Sequence, residues 1–326
     1  MGSHHNHDDD GSLAAILRDS PKNWGKWGDD DEIGSLNYLD AAEVLRGVSE
    51  ARQGKTFTLQ IPIGHEKGDI LWPGSARGPA IHHNILDKGD YYCGRGPAAP
   101  GGSEYSDDMI IMYLQGSTQY DALGHAWIED ELYNGYDART TGQKMTKADV
   151  YPIAERGVVG RGVLLDIARH RGKERLERGE TVTHEDLMAV ADAQGITIEK
   201  RDVLLMRTGW VGSYYRMEPE EFYADFNEPG LTYSPELVQW FADMEIPNLV
   251  TDTIANEVSL DPNNGSFLPL HIALMRNLGV LFTEIASLDA LAEDCAADGQ
   301  YSFLYTAAPL KVKGGSGAPV NPIVIK

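Results

Sequence analysis

Short runs of apolar residues recur along the chain, and most are bounded by glycine, proline or charged residues. Runs of this length predict buried strands, whereas alternation of apolar and polar residues predicts a strand with one face in solvent. Alternation predicts a strand over residues 56–63. The apolar runs predict further strands over residues 109–114, 162–167, 202–206, 249–253, 280–283 and 303–310.

Helix-capping signals lie between these runs and predict helices. Asp40 is placed to cap a helix over residues 41–47, and Thr183 to cap one over residues 183–194. A further helix is predicted over residues 234–244, with Pro235 in its first turn, and another over residues 270–278, ended by Gly279. Helices and strands are intermingled, so the pattern indicates an α/β or α+β protein.

Two segments show neither pattern and are predicted to be loops. Residues 23–39 are rich in glycine, tryptophan and aspartate, and residues 71–102 hold many of the glycines and prolines. A loop as long as the second is typical of a lid or a binding loop. No linker interrupts residues 21–326, which we interpret as one domain. We interpret residues 1–20 as a disordered or tag-like tail, which contains His4, His5 and His7.

Composition narrows the classes of partner. The formal net charge of -22 argues against nucleic acid and against an anionic membrane surface, because both require clustered lysine and arginine. Only two cysteines are present, which is too few for a disulfide framework. No apolar run approaches the ~20 residues that span a bilayer, and the first residues lack the features of a signal peptide. We therefore expect a cytoplasmic protein.

Residues 114–127 concentrate groups that can carry chemistry. Asp121 and His125 lie four residues apart, a spacing that lets their side chains converge. Carboxylate and imidazole are the usual ligands of a divalent metal. His271 at the start of a predicted helix and Glu284 at the end of a predicted strand offer the same groups. Taken singly, each of these residues is more typical of a cap or a satisfied polar group.

The segment resembles the metal-dependent cyclase family, which includes bacterial kynurenine formamidases and isatin hydrolases. The family motif, His-x-Gly-Thr-His-x-Asp-x-x-x-His, corresponds here to residues 115–125, with Thr118, Asp121 and His125 matching. The resemblance also covers residues 23–37, 204–210 and 271–291, so the matching segments are spread over most of the chain after the tail.

The resemblance implies an α/β fold of the swivelling β/β/α type, in which helices flank a mixed, partly barrel-like sheet. It implies that Asp121, His125, His271 and Glu284 hold a metal. It also implies a small aromatic or cyclic substrate, a homodimer or homotetramer and, through the kynurenine formamidases, a link to tryptophan catabolism.

Two departures bear on the metal. Gln115 and Gln119 stand where the motif has histidines that hold a first metal with the aspartate, so we expect one metal rather than two. The charges of Asp121 and Glu284 neutralise one divalent ion, and zinc and manganese are both admissible. Gln119 is a candidate fifth ligand. A metal-free form, in which Asp121 and His125 act as an acid/base pair, remains an alternative.

We therefore expect a hydrolase of the C–N bond of an aryl formamide, cyclic amide or imide, acting through metal-activated water. Thr118, Gln119 or Gln115 would stabilise the oxyanion. His125, if it is not a ligand, or Glu284 would transfer the proton. A lactone or ester hydrolase using the same site is one alternative, and a non-catalytic small-molecule-binding relative is another.

Substrate contacts are expected from the loops. Trp72 and Trp127 fit an aromatic or cyclic substrate, and His82 and His83 lie in the lid-like loop. Gln115 is a further candidate contact, and an arginine, Arg77 or Arg207, would pair with a carboxylate of the substrate.

Overall fold

A computed structural model describes residues 12–73 and 75–326. Its centre is a nine-stranded sheet in the order β1-β13-β11-β5-β7-β9-β10-β4-β12, and β2 with β3 and β6 with β8 form two separate ribbons. The strands are β1 Thr56–Thr58, β2 Ile81–Leu86, β3 Asp107–Ile111, β4 Gln119–Asp121, β5 Val158–Asp166, β6 Thr181–Val182, β7 Val203–Arg207, β8 Gly230–Leu231, β9 Asn248–Thr251, β10 Leu281–Glu284, β11 Ser302–Ala307, β12 Gly317–Pro319 and β13 Ile323–Ile325.

The direction of the strands decides where a site can form. β5, β7, β9 and β10 run parallel to one another, and the strands on either side of them are antiparallel. Carboxyl ends of parallel strands share one edge, where ligands of open α/β sheets usually bind. β4 runs the opposite way, so its first residue, Gln119, pairs with Glu284 at the end of β10. Residues from both strands therefore meet at this edge.

The helices are α1 Leu13–Ile16, α2 Ala41–Val48, α3 Lys88–Tyr92, α4 Val150–Arg156, α5 Ile167–His170, α6 His184–Gln194, α7 Trp210–Tyr214, α8 Pro219–Tyr223, α9 Pro235–Asp243 and α10 Asp289–Asp298, with 3-10 helices Gly34–Tyr38, Tyr133–Gly135 and Ala138–Thr141 and a π-helix His271–Leu278. Asp40 and Thr183 cap α2 and α6 through their side chains, and Gly279 ends the π-helix in the left-handed conformation, as predicted. The mixed α/β architecture confirms the expected fold class.

Two parts of the chain differ from the sequence prediction. Residues 109–114 were expected to form a buried strand, but β3 is exposed along its whole length and pairs only with β2 among the described strands. The predicted loop 71–102 contains β2 and α3. We call residues 81–111 the arm. Its two strands satisfy each other's backbone hydrogen bonds, so the arm forms without joining the main sheet.

The predicted disordered tail, residues 1–20, also differs from the structure in the part that the structure describes. Residues 1–11 lie outside the described residues. Leu13–Ile16 form α1, capped by Ser12, and Leu17 is buried in the main hydrophobic core. Apolar contact thus orders residues 12–20, which their composition did not reveal. Within residues 12–73 and 75–326, no helix is long and apolar enough to cross a membrane.

The first loop clamps the end of the π-helix. Trp24 donates its indole N–H to the carbonyl oxygen of Arg276 at 2.9 Å. Gly34 and Gly279 both have positive φ, and a Cβ added at Gly34 would lie 2.5 Å from the carbonyl oxygen of Gly279. Glycine is therefore required at this contact, both for its backbone conformation and for its small size. The contact fixes the helix that begins with His271.

Candidate metal centre

Three potential ligands meet near the edge where β4 begins and β10 ends. Asp121 is the last residue of β4, Glu284 the last of β10, and His271 the first of the π-helix. Each offers a ligand atom, and the three atoms lie within 4.8 Å of one another. His271 Nε2 lies 3.5 Å from Glu284 Oε1 and 3.9 Å from Asp121 Oδ2. All three side chains are buried.

The cluster contains polar atoms that the protein leaves without partners. Three buried oxygen atoms accept no hydrogen bond from the described residues: both carboxylate oxygens of Asp121 and the Oε1 of Gln119. A buried carboxylate without a partner costs several kcal/mol, so such atoms are normally paired or bound to a cation. Two carboxylates and one imidazole suit zinc or manganese and neutralise one divalent ion. The residues present therefore fit the metal that the sequence implied.

Glu257 orients His271 through three contacts. Its Oε1 accepts the backbone N–H of His271 at 2.8 Å and lies 2.7 Å from the ring Nδ1, while its Oε2 accepts the N–H of Leu270 at 2.7 Å. This leaves Nε2 directed at the cluster, an arrangement common for metal-ligating histidines. Sequence reasoning missed Glu257. The sequence feature that could have indicated Glu257 is its position, as an acidic residue, shortly after the strand predicted over residues 249–253.

Glu284 is held by two amides. Gln119 Nε2 donates to its Oε2 at 2.7 Å, and Asn256 Nδ2 donates to its Oε1 at 3.2 Å. Burial raises the pKa of Glu284 to about 8, and the charge of Asp121 adds to this, while His271 and Arg77 oppose it. Gln119 thus binds Glu284 with its N–H and leaves its Oε1 for the cluster.

The two histidines have opposite pKa shifts. Burial disfavours the charged form of His271, but Glu257 and Glu284 outweigh it and raise its pKa to about 10. Burial lowers the pKa of His125, although the charge of Asp121 opposes this. His125 Nε2 lies 3.8 Å from Asp121 Oδ2, and His125 is not among the three converging ligands. Its position beside the cluster favours the proton-transfer role over the ligand role.

A cavity of about 200 Å³ lies over His125, His271 and Glu284. An adjoining cavity of about 390 Å³ also borders both histidines and adds Leu13 and Trp127. Trp72 packs edge-on against Phe267, with ring centroids 5.6 Å apart, so an aromatic wall faces the cluster. The remaining walls of the smaller cavity are Arg77, Ile254, Ala255 and Leu268.

Two predicted roles are corrected by hydrogen bonding. The Thr118 hydroxyl donates to the carbonyl oxygen of Ile285 at 2.6 Å and accepts the N–H of Ile61 at 3.0 Å. It therefore has no proton left to donate to an oxyanion. The Gln115 amide donates to Ser316 Oγ at 3.0 Å, so Gln115 ties down a loop and does not line either cavity at the cluster.

The predicted substrate contacts divide into two groups. Trp72 borders the smaller cavity and Trp127 the adjoining one. His82 and His83 lie on β2 of the arm, where both are exposed, and His82 Nε2 lies 2.6 Å from Asp108 Oδ2. Neither lines the two cavities at the cluster, because pairing of β2 with β3 carries them away from the sheet edge.

Comparisons with known proteins agree with this architecture. A solved structure described as a novel cyclase is 37% identical, with a TM-score of 0.84, over 94% of this chain and 98% of that one. Isatin hydrolase A from Labrenzia aggregata, solved with benzyl benzoate, is 21% identical, with a TM-score of 0.59, over 89% and 98% of the two chains. Isatin hydrolase A from Ralstonia solanacearum is 19% identical, with a TM-score of 0.58, over 83% and 91%.

The likeness to the isatin hydrolases shows a shared fold. Comparison with curated proteins finds no match. The sequence profile of one family, Cyclase (Putative cyclase), matches residues 57–258, which include β4 with Asp121 and Glu257, the residue that orients His271. With this match and the 37% identity to the solved cyclase, the chain belongs to the Putative cyclase family.

Proposed function

We propose that the protein is a metal-dependent hydrolase of the C–N bond in an aryl formamide, cyclic amide or imide. The observation that carries the proposal is the convergence of Asp121, His271 and Glu284 beside a cavity that His271 and Glu284 line. Among the described residues, both oxygens of Asp121 lack a hydrogen-bond partner. The shared fold with isatin hydrolases is consistent with a cyclic amide as substrate.

Asp121, His271 and Glu284 would hold a divalent ion, which would supply Lewis-acid chemistry and lower the pKa of a water molecule at the site. His125 borders the cavity 3.8 Å from Asp121 and accepts the proton from the attacking water. A C–O bond forms as the C–N bond breaks, and His125 returns the proton to the departing nitrogen. Glu257 and Asn256 hold His271 and Glu284 in place.

The aromatic wall supports the choice of substrate class. Trp72 and Phe267 present ring surfaces beside the cluster, and Ile254 and Leu268 are apolar. Ligand cavities with apolar walls and a few convergent polar groups bind flat, apolar substrates well. A sugar would leave most of its hydroxyl groups without partners against these walls.

Turnover of a substrate panel tests the proposal. The protein is stripped with a chelator, reloaded with zinc or manganese, and assayed on formanilide, isatin and phthalimide, with phenyl acetate and dihydrocoumarin as the ester and lactone comparison. We expect at least one C–N substrate to be hydrolysed only after metal is restored. Hydrolysis of only phenyl acetate or dihydrocoumarin would favour a lactone or ester hydrolase. Binding without any turnover would favour a non-catalytic relative.

We also propose that the protein forms a homo-oligomer through the arm. Ile81, Ile110 and Ile111 are 57%, 49% and 57% exposed, and β2 and β3 pair only with each other among the described strands. Exposed apolar strands with open edges are rare in monomeric proteins, and where they occur they usually mark a surface that binds a partner. A second copy would cover both the apolar side chains and the open edges.

Substitution in the arm tests the assembly. We expect the double variant Ile110→Asp/Ile111→Asp to have the mass of a monomer by light scattering, because charge on the strand opposes burial. Leu45→Asp serves as the control, since Leu45 is equally apolar, 68% exposed and lies on α2. A monomeric wild-type protein at high concentration would contradict the assembly.

A further inference from the structure

Arg77 places a positive charge in the wall of the small cavity. It lies in the segment between β1 and β2, and its guanidinium borders the same 200 Å³ space as His125, His271 and Glu284. Its backbone N–H bonds to Ser75 Oγ at 3.2 Å. Its Nη1 makes a long contact of 3.5 Å with the carbonyl oxygen of Gln115. These contacts hold the side chain at the cavity and leave most of its donors unused.

No carboxylate of the described chain, residues 12–73 and 75–326, forms an ion pair with Arg77. Arg207, the other arginine expected from the sequence to bind a carboxylate, is fully engaged. It bonds to Asp166 and Asp289 at 2.8 Å each and to the carbonyl oxygen of Glu174 at 3.1 Å. Arg77 is therefore the arginine whose donors remain for a ligand.

The placement of Arg77 supports an anionic ligand. Asp121 and Glu284 together neutralise one divalent ion, and Arg77 is the arginine that borders the cavity beside them. The half-buried guanidinium forms no direct ion pair among the described residues, and a planar carboxylate matches its donors in two parallel hydrogen bonds.

The size of the cavity limits the ligand to about one ring. A cavity of about 150 Å³ holds one benzene ring, so about 200 Å³ accommodates one ring with small substituents. Trp72 and Phe267 supply the wall against which such a ring stacks. Arg77, His271 and Glu284 border this one space, so a single ring that fills it can contact all three.

We propose that Arg77 binds a carboxylate carried by the substrate's ring, so that the substrate class is an aromatic or cyclic amide with an acidic substituent near the scissile C–N bond. The position of the reacting bond rests on the function proposed above. The recognition of the carboxylate by Arg77 does not, because it requires binding alone.

Binding of two matched probes tests this. The anionic probe is 2-acetamidobenzoate, and the neutral probe is its amide, 2-acetamidobenzamide. Dissociation constants are measured by calorimetry with the zinc-loaded protein. We expect the wild type to prefer the anionic probe by about 10- to 100-fold, the range of a charge-assisted hydrogen-bonded pair. In Arg77→Met the preference should fall to within about threefold of unity.

Two further variants sharpen the comparison. Arg77→Lys keeps the charge without the planar fork and should keep part of the preference. Arg139→Met removes an arginine whose side chain is 91% exposed and should leave the preference unchanged. Zinc content and unfolding midpoint, measured for each variant, establish that the site is intact. If Arg77→Met does not fold, Arg77→Lys carries the test.

Three results would overturn the proposal. One is a wild type without preference for the anionic probe. Another is a preference for the anionic probe that survives Arg77→Met. If that surviving preference disappears when zinc is removed, the carboxylate binds the metal. The third is a loss of turnover on neutral amides in Arg77→Met without any change in probe preference, which would place Arg77 at the reacting carbonyl. Failure of all hydrolysis with the preference intact would contradict only the proposed reaction.

Discussion

Asp121→Asn is expected to abolish metal binding and to reduce turnover by roughly 10³-fold or more, while making the metal-free protein more stable. The loss of activity follows because the several kcal/mol of stabilisation that a metal provides at the transition state disappear with it. The gain in stability follows because both Asp121 oxygens are buried without a partner among the described residues. A neutral amide removes that buried charge.

Elemental analysis and thermal unfolding with and without added zinc measure these effects. Zinc should raise the melting temperature of the wild type and leave that of Asp121→Asn unchanged. In the absence of metal, the variant should melt a few degrees higher, since 1 kcal/mol corresponds to about 2–4 °C for a domain of this order of size. Lower stability of metal-free Asp121→Asn would contradict our interpretation of the unpartnered oxygens.

Asp252→Asn is the matched control. Asp252 is equally buried, but its oxygens accept the N–H and the hydroxyl of Thr208 at 2.7 Å each and the N–H of Gly209 at 2.6 Å. An asparagine cannot accept all three bonds, so this variant should lose about 1–3 kcal/mol of stability. Its metal content should not change, because Asp252 is outside the ligand cluster.

His125→Ala is expected to lower turnover by about 10²- to 10⁴-fold while the protein keeps one equivalent of metal. This magnitude is typical of removing a positioned general acid/base. Metal should remain because Asp121, His271 and Glu284 converge without His125. The measurement is turnover on whichever panel substrate the wild type hydrolyses, together with the metal content of the same preparation.

The control for this variant is His184→Ala. His184 packs against Trp240 at a ring distance of 5.1 Å, away from both cavities at the cluster. Turnover of that variant should be near the wild-type value. Loss of metal from His125→Ala would instead identify His125 as a ligand, and undiminished turnover would remove it from the reaction.

The parts of the site predicted from sequence are those determined by local pattern. β10 ends at Glu284, and Gly279 ends the helix that His271 begins, so both positions follow from strand and cap signals. The resemblance to the cyclase family added the expectation that Asp121 joins them. The structure places these three residues within one ligand cluster.

The missed parts depend on partners distant in sequence. Thr118 is a plausible oxyanion donor in its motif, but Ile285, 167 residues away, takes its proton. Glu257 carries no motif, and its role appears only when the chain folds it against His271. The apolar residues of β3 were expected to be buried, but β3 pairs with β2 in the exposed arm. A run of apolar residues predicts a strand but does not predict which strand it pairs with.

The sequence alone was sufficient for the mixed α/β class, the core strands and the capped helices, since periodicity and caps are local properties of the chain. The candidate ligands Asp121, His271 and Glu284 came from the resemblance to the cyclase family. Tertiary structure decided which donors are free. It assigned the proton of Thr118 and the amide of Gln115 to neighbouring segments, while the oxygens of Asp121 receive no hydrogen bond from the described part of the chain. A hydrogen bond needs both groups in place, so only the folded chain determines which polar atoms remain for a metal or a substrate.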